Sequence, residues 1–282
     1  MEILRTVAEL RRWSRALRAQ GGNTMGLAPT MGALHAGHAS LIHAARATCT
    51  HVAVTLFVNP TQFGPNEDFA RYPRVFAADC ALAEAEGADV LFAPAVEELY
   101  PHGADSTFVE VPVLSQRLDG QSRPGHFRGV ATVVAKLLIA AEPDRAYFGQ
   151  KDAAQVAVLR RMTADLRLGT EIVVCPIVRD ADGLALSSRN AYLSPAERAQ
   201  ALVLSRALHS VKSLAATGER RAGSLVAAAR EVFAEEPDVR IDYIALVDWA
   251  TLAPVETAAP GTLFAVAAWV GATRLIDNAI LA

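Results

Sequence analysis

The stretch LAPTMGALHAGHASLIHAAR, residues 27–46, decides how the rest of the chain is read. An apolar run ends at a glycine-bearing loop, and Leu41, Ile42, Ala45 and Cys49 then fall on one helical face. Upstream TMGLAP (24–29) and downstream HVAVTLFVNP (51–60) are compact apolar runs that read as buried strands. Strand, helix, strand predicts a parallel pair, with residues 30–38 as the connecting loop. His38 then sits at or near a helix N-terminus, where unpaired N–H groups and the helix dipole favour an anion. Gly32 and Gly37 let the backbone come close to a nucleotide, and the neutral imidazoles of His35 and His38 can donate to phosphate oxygens. A zinc pair and two histidines that merely pack are the alternatives. Zinc lacks a Cys, Asp or Glu within the segment to complete its shell.

Outward from this unit the alternation continues. FAADCALAEAEG reads as helix, ADVLFAP and STFVEVP as strands, GVATVVAKLLIAA as helix, DRAYFG as strand, AAQVAVLRRMTADL as helix and EIVVCP as strand. The expected fold class is α/β, a Rossmann-like doubly wound parallel sheet over residues 1–178 with ligands at the carboxyl ends of its strands. Beyond a boundary near Pro176 to Asp182 the texture changes. SPAERAQALVLSRALHSVKSLAA reads as one helix started by Ser194 and Pro195, and AGSLVAAAREVFAEE as a second. VRIDYIALVD, TLFAVAAWVG and TRLIDNAIL then suggest a short antiparallel sheet, giving residues 179–282 as a smaller C-terminal α+β lid domain.

Bulk properties narrow the partners. The 282 residues are 52% hydrophobic, enough for one large or two modest cores. A net charge of -3 supplies no field for a nucleic acid, so an anion must be small and held locally. Cys49, Cys80 and Cys175 form no CxxC pair and read as buried small hydrophobes in a reducing compartment. MEILRTVAELRRWSRALRAQG has helical spacing without a signal peptide's apolar core, and the uncharged stretch 257–273 is shorter than the roughly 20 residues of a membrane helix. A cytoplasmic protein without membrane or nucleic-acid partners is expected.

Three later segments carry chemistry. VNPTQFGPNEDFARYPR (58–74) is a proline- and glycine-punctuated loop able to close as a lid, and it contains Gln62. YFGQKDAAQ (147–155) repeats the strand-to-helix anion geometry, with Lys151 placed for phosphates and Asp152 for capping the helix. DGLALSSRN (182–190) offers the Ser187 and Ser188 hydroxyls and the forked charge of Arg189. Asp68, Arg71 and Asp79 are weaker candidates, because a lid and its helix carry such charges anyway. Arg123, His126 and Arg128 lie in a basic, glycine-rich segment without an assigned role, and His43 and His51 read as ordinary helix and strand-end residues.

TMGALHAGH between a strand and a helix resembles the HIGH-type signature of the nucleotidyltransferase superfamily. With the three later motifs in their order and spacing, the chain resembles the pantothenate synthetase family over nearly its whole length. That family joins pantoate and β-alanine using ATP. The resemblance implies ATP contacts by Met31, Gly32, Ala33, Leu34, His35, Ala36, Gly37 and His38, with His38 as proton donor and His35 at the phosphates. It adds Gly149, Gln150, Lys151 and Asp152, the backbone at Val178, and Leu186, Ser187, Ser188 and Arg189 of a KMSKS-type loop. Gln62, toward the β-alanine side, and Gln155 would bracket pantoate, amides that orient a carboxylate without neutralising it. Ala153 and Ala154 replace an aromatic residue and a glutamine of the family, which implies an altered pocket wall.

The implied reaction has two half-reactions. The pantoate carboxylate attacks the α-phosphorus of ATP to give pantoyl adenylate, and β-alanine then displaces AMP. Catalysis would rest on His38, His35, Lys151 and Arg189, with Mg²⁺ carried in with ATP and no dedicated protein metal cage. A homodimer is implied, with the C-terminal strands or an edge of the first sheet as its interface. The alternatives are another HIGH-type nucleotidyltransferase acting on a phosphorylated acceptor, or a non-catalytic ATP-binding module.

Overall fold

The structure, a computed structural model, describes residues 1–65, 67–103 and 106–282. Six strands form a parallel sheet: β1 (Glu2–Leu4), β2 (Met25–Thr30), β3 (His51–Leu56), β4 (Val90–Phe92), β5 (Arg145–Gly149) and β6 (Glu171–Cys175), in the order β1-β4-β3-β2-β5-β6. The helices between them are α1 (Val7–Ala19), α2 (Ala36–Thr48), α3 (Phe76–Ala85), the short α4 (Val96–Leu99) and α5 (Asp119–Ser122), α6 (His126–Ala141) and α7 (Ala153–Asp165). Then come α8 (Pro195–Ala201), α9 (Val203–Ala216) and α10 (Ala222–Phe233), and an antiparallel sheet of β7 (Val239–Val247), β8 (Leu263–Val270) and β9 (Thr273–Ile280).

The expected α/β class and the small antiparallel sheet are both present. After β2 the chain builds toward one side of the sheet through β3 and β4, and β5 and β6 then lie on the other side, so the strand order reverses between β2 and β5. Ligands of doubly wound sheets bind at that switch point. Sequence shapes the crevice directly. Thr24 and Thr30 turn their carbonyls to β3, while Met25 turns its carbonyl to Asp144 beside β5. By the strand's period of two, Pro29 faces β5, and it has no N–H to offer. Pairing of β2 with β5 stops at Leu27, whereas pairing with β3 continues to Thr30. The two central strands therefore part where the cleft opens.

α6 has 13 of its 16 residues buried, with Arg128, Lys136 and Ile139 forming one narrow stripe that is not. It shares a core cluster with α1 and α7, with Val247, Leu263 and Ala265 from the antiparallel sheet, and with Leu252 from the connection between β7 and β8. A second cluster lies between α8–α10 and the other face of that sheet.

Four expectations are corrected. Glu2–Leu4, read with the helical N-terminal segment, is a strand paired with β4, and the helix begins at Val7 behind the Thr6 cap. STFVEVP (106–112) is not a strand. The Val109 N–H bonds to Thr132 Oγ1 on α6 (2.9 Å) instead of to a neighbouring strand, which gives its backbone a partner away from the sheet edge. The helix expected over 194–216 is two helices, divided at Leu202, where no glycine or proline marks the break. Cys80 is half-buried, while Cys49 and Cys175 are buried as expected.

Candidate functional site

The loop after β2 is held from below. Gly32 (φ 88°) and Ala33 (φ 51°) both take left-handed backbone, which in a non-glycine residue costs about 1–2 kcal/mol. The Asp79 carboxylate on α3, only 3% exposed, accepts the N–H groups of Ala33 (3.0 Å) and Leu34 (2.7 Å). Hydrogen bonds to a charged group contribute about 1.5–3 kcal/mol each, so the carboxylate outweighs the strain. His35 is the N-cap of α2, and its Nδ1 accepts the Gly37 N–H (3.1 Å). His38, three positions into the helix, accepts the His35 N–H at Nδ1 (3.3 Å). A side chain at Gly37 would sit 2.9 Å from His35 Cε1, so only glycine permits this cap.

These contacts determine the chemistry of both rings, whose centroids are 4.1 Å apart. With each Nδ1 accepting, a neutral imidazole carries its hydrogen on Nε2, leaving an N–H donor at the cleft. Burial first, then the neighbouring His35, holds His38 down to about 3. Burial and Lys151 lower His35 as well. At neutral pH the pair donates without carrying charge.

The second segment leaves β5 at Gly149, makes a 3-10 turn over Gln150–Asp152 and enters α7. Lys151 stands at this entry, with its Nζ 3.9 Å from Asp152 Oδ1. The expected cap by Asp152 is corrected, because its side chain makes no capping hydrogen bond. The third segment follows β6. The Leu186 N–H bonds to the Val178 carbonyl (3.0 Å), and Ser187 caps a 3-10 turn by accepting the Arg189 N–H (3.3 Å). The Ser188 hydroxyl reaches the Ala33 carbonyl (3.3 Å), joining this loop to the first. Arg189 is held in a fork by Asp68 (3.0 and 2.9 Å). Burial opposes the Asp68 charge, but Arg189 overcomes it and lowers the carboxyl's pKa.

The fourth segment is the 3-10 turn Pro60–Gln62 after β3. Asn59, 1% exposed, donates to Gln62 Oε1 (3.1 Å) and to the Gly129 carbonyl (3.1 Å), and Tyr100 Oη donates to Asn59 Oδ1 (2.8 Å). Gln62 Nε2 points at Met31 Sδ (3.0 Å), so the amide has one orientation. Gly129 on α6 admits this turn, since a Cβ there would lie 2.3 Å from the Thr61 carbonyl oxygen. Nearby, Arg123 pairs with Glu67 (2.8 and 2.5 Å) and donates to His126 Nε2 (3.0 Å), while His126 Nδ1–H donates to the Gln62 carbonyl (2.8 Å). Burial, then Arg123, holds His126 down to about 3.

One cleft at the carboxyl ends of the parallel strands collects these groups. Met31, His35, Gly37, His38, Gln62, Gly149, Lys151, Asp152, Gln155, Val178, Leu186, Ser187, Ser188 and Arg189 all line it. Gly32, Ala33, Leu34 and Ala36 form the turn behind the histidines, and Gln150 turns its side chain to Asn278. Ala153 and Ala154 are 3% and 2% exposed in the core and are not among the lining residues, so the expected change of pocket wall does not arise from them. His43 is an exposed partner of Glu86, and His51 begins β3. Asn66, within the expected lid segment, lies outside the described residues.

Sequence reasoning missed Asn59 and undervalued Asp79, Asp68, Arg123 and His126. The Asn-Pro dipeptide at 59–60 signals a turn, but nothing local shows that Asp79 is buried under a loop 46 residues upstream. Among the described residues no three His, Cys, Asp or Glu side chains converge as a metal-binding group.

The parallel sheet and a cleft at its switch point define a doubly wound α/β protein of the nucleotide-binding kind. The profile of the pantoate-beta-alanine ligase family matches residues 2–280. Pantothenate synthetases of Acidobacterium capsulatum and Koribacter versatilis are 60% and 56% identical, each across 100% of this chain and 97% and 96% of theirs. The crystal structure of the Thermus thermophilus pantothenate synthetase superposes with a TM-score of 0.93 at 46% identity, covering 99% of both chains. A Francisella tularensis pantoate-beta-alanine ligase, complexed with "beta-gamma ATP" and beta-alanine, gives 0.81 at 32% identity over 99% of this chain and 97% of its own. The chain belongs to the pantoate-beta-alanine ligase family.

Proposed function

We propose that this protein condenses pantoate with β-alanine at the expense of ATP, releasing AMP and pyrophosphate through a pantoyl adenylate. The observation that carries the reading is the meeting of all four motif segments on one cleft at the carboxyl ends of the parallel strands. Gln62 and Gln155 hold pantoate, and Asn59 orients the first of these amides. The carboxylate attacks the α-phosphorus in line. Negative charge then grows on the departing pyrophosphate, where Lys151, Arg189 and the Nε2–H groups of His35 and His38 stabilise it. With Nε and Nη2 engaged by Asp68, Arg189 keeps Nη1 for the ligand. His38, neutral in the folded protein, acts here as a hydrogen-bond donor. The amine of β-alanine attacks the acyl carbon and AMP leaves, with no side chain covalently attached.

Mg²⁺ fits this site as an ion held chiefly by the triphosphate and water, with Asp152, among the described residues, a carboxylate lining the cleft that could approach it. Bound there, it would shield phosphate charge. Residues 179–282 supply the Leu186–Arg189 loop and are the part proposed to close the site. Cytoplasmic location fits helices none of which, among the described residues, is long and apolar enough to cross a membrane. A homodimer fits the exposed apolar Phe108 and Val113, and small molecules are the expected ligands. The non-catalytic alternative drew its weight from Ala153 and Ala154, which lie in the core.

Pyrophosphate release from ATP and pantoate, with and without β-alanine, tests the reading. Release should require pantoate, become sustained turnover with β-alanine, yield a hydroxamate when hydroxylamine replaces the amine, and collapse in His38→Ala. Release indifferent to pantoate would overturn it.

A further inference from the structure

Behind the cleft, two adjacent residues of β9 reach different segments of the ATP side. Asn278, 4% exposed, donates through Nδ2 to the Gln150 carbonyl (2.9 Å) and the Lys151 carbonyl (3.0 Å), and its Oδ1 accepts from Gln150 Nε2 (3.1 Å). The turn presenting Lys151 is thus held by one side chain from a strand 127 residues away. Asp277, 3% exposed, forks Arg179 with contacts of 2.6 and 2.9 Å. Arg179 follows Val178, pairs with Ala185 across a bridge, and donates to the Gly183 carbonyl (3.1 Å). It therefore anchors the hairpin whose far arm runs directly into Leu186–Arg189. Asp277 Oδ1 also accepts the Asn278 N–H (2.8 Å), linking the two anchors.

Strand geometry explains how neighbours serve separate segments. Asn278 stands opposite Ala265, a member of the core shared with α6 and α7, and Asp277 opposite Val266, a member of the α8–α10 core. Successive side chains leave a strand by opposite faces, so one strand braces both.

We propose that Asp277 and Asn278 are positioning residues for the ligation, holding the Lys151 turn and the Leu186–Arg189 loop in one frame so that both cations meet the same triphosphate. The inference rests on the function proposed above. A misplacement of about 1 Å in such groups lowers rate by as much as about a hundredfold, so the pair acts on chemistry beyond its contribution to folding.

The test compares Asn278→Ala and Asp277→Asn with Phe264→Leu, a change in the C-terminal core away from the cleft. Full-length variants are assayed at equal margins below their melting temperatures, and ATP binding is titrated separately by calorimetry. Asn278→Ala should lower kcat at least tenfold with the β-alanine KM unchanged, and Asp277→Asn should raise the ATP KM about three- to tenfold. Phe264→Leu should lose stability with both constants intact. Should either first variant fail to fold, Gln150→Ala removes the side-chain contact of Gln150 with Asn278 Oδ1, leaving the two backbone carbonyl bonds, and Arg179→Lys removes the fork on Asp277, with about threefold effects expected on the same constants. Kinetics no worse than in Phe264→Leu would overturn the proposal. Wild-type protein that binds ATP but makes no pantothenate would instead fail the parent reading, and unchanged ATP affinity in Asp277→Asn or Arg179→Lys would then count against the anchors themselves.

Discussion

At the scale of single residues, the site is built from polar groups whose roles are set by what they accept. His38 and His126 hold at about 3 in the folded protein, against 6.5 for a free imidazole. A lowered folded value means that the unfolded chain binds more protons between those limits. Their contribution to stability is complete above pH 6.5 and falls as pH drops through the window. Near pH 5 the two residues together should give a slope of about 2–3 kcal/mol per pH unit. Urea titrations at pH 5 and 6 should show it, with the slope roughly halved in His126→Asn. Equal slopes in the two proteins would remove His126 from the account. Asp79 makes a second case. Asp79→Ala orphans the Ala33 and Leu34 N–H groups and should lower stability by about 2–4 kcal/mol while raising the ATP KM. Asp79→Asn, keeping one acceptor, should fall between, as denaturation and initial-rate measurements would show.

At the scale of elements, position comes from close backbone approach. The Pro60–Gln62 turn lies on α6 because Gly129 has no side chain. In Gly129→Ala the new methyl meets a backbone carbonyl and the Gln62 Cα, neither of which can rotate away. Stability should fall by about 1–3 kcal/mol, and the pantoate KM should rise about tenfold with the ATP KM little changed. An ATP KM that rose equally would show that the turn serves the whole cleft. Helix and strand identities were readable because periods of 3.6 and 2 differ over runs as long as β5 or α7. The failures share one cause. Residues 106–112 alternate like a strand, but the Val109 backbone bonds to Thr132 on α6 and the Val111 carbonyl accepts the Ser115 N–H, and the division at Leu202 carries no local signal.

At the scale of the molecule, the two sheets are not energetically separate. Leu263, Ala265, Val247 and Leu252 share a core with α6 and α7, and Trp249 Nε1–H donates to the Ala153 carbonyl (2.9 Å). Urea unfolding should therefore be a single transition by fluorescence and by far-ultraviolet circular dichroism. A fragment ending at residue 178, stripped of that cover, should unfold at markedly lower urea. Two resolved transitions, or a fragment as stable as the parent, would show independent domains on either side of the boundary expected near 178.

Sequence by itself determined the α/β class and most of the alternation of elements, because hydrophobic period, turn residues and helix starts are local, but not the edge strand Glu2–Leu4 or the break at Leu202. His35, His38 and Lys151 were legible because each lies where a strand releases the chain into a helix, whereas Gln62 was singled out by the family resemblance and Arg189 by the resemblance and its forked charge. Only the tertiary structure decided the groups that hold them: Asp79 under the first loop, Asn59 behind Gln62, Asp68 on Arg189, and Asp277 with Asn278 behind both cations. The physical reason is burial. A carboxylate or amide becomes a support when water is removed from it and its partner is dozens of residues away, and neither condition leaves a mark on its neighbours in the chain.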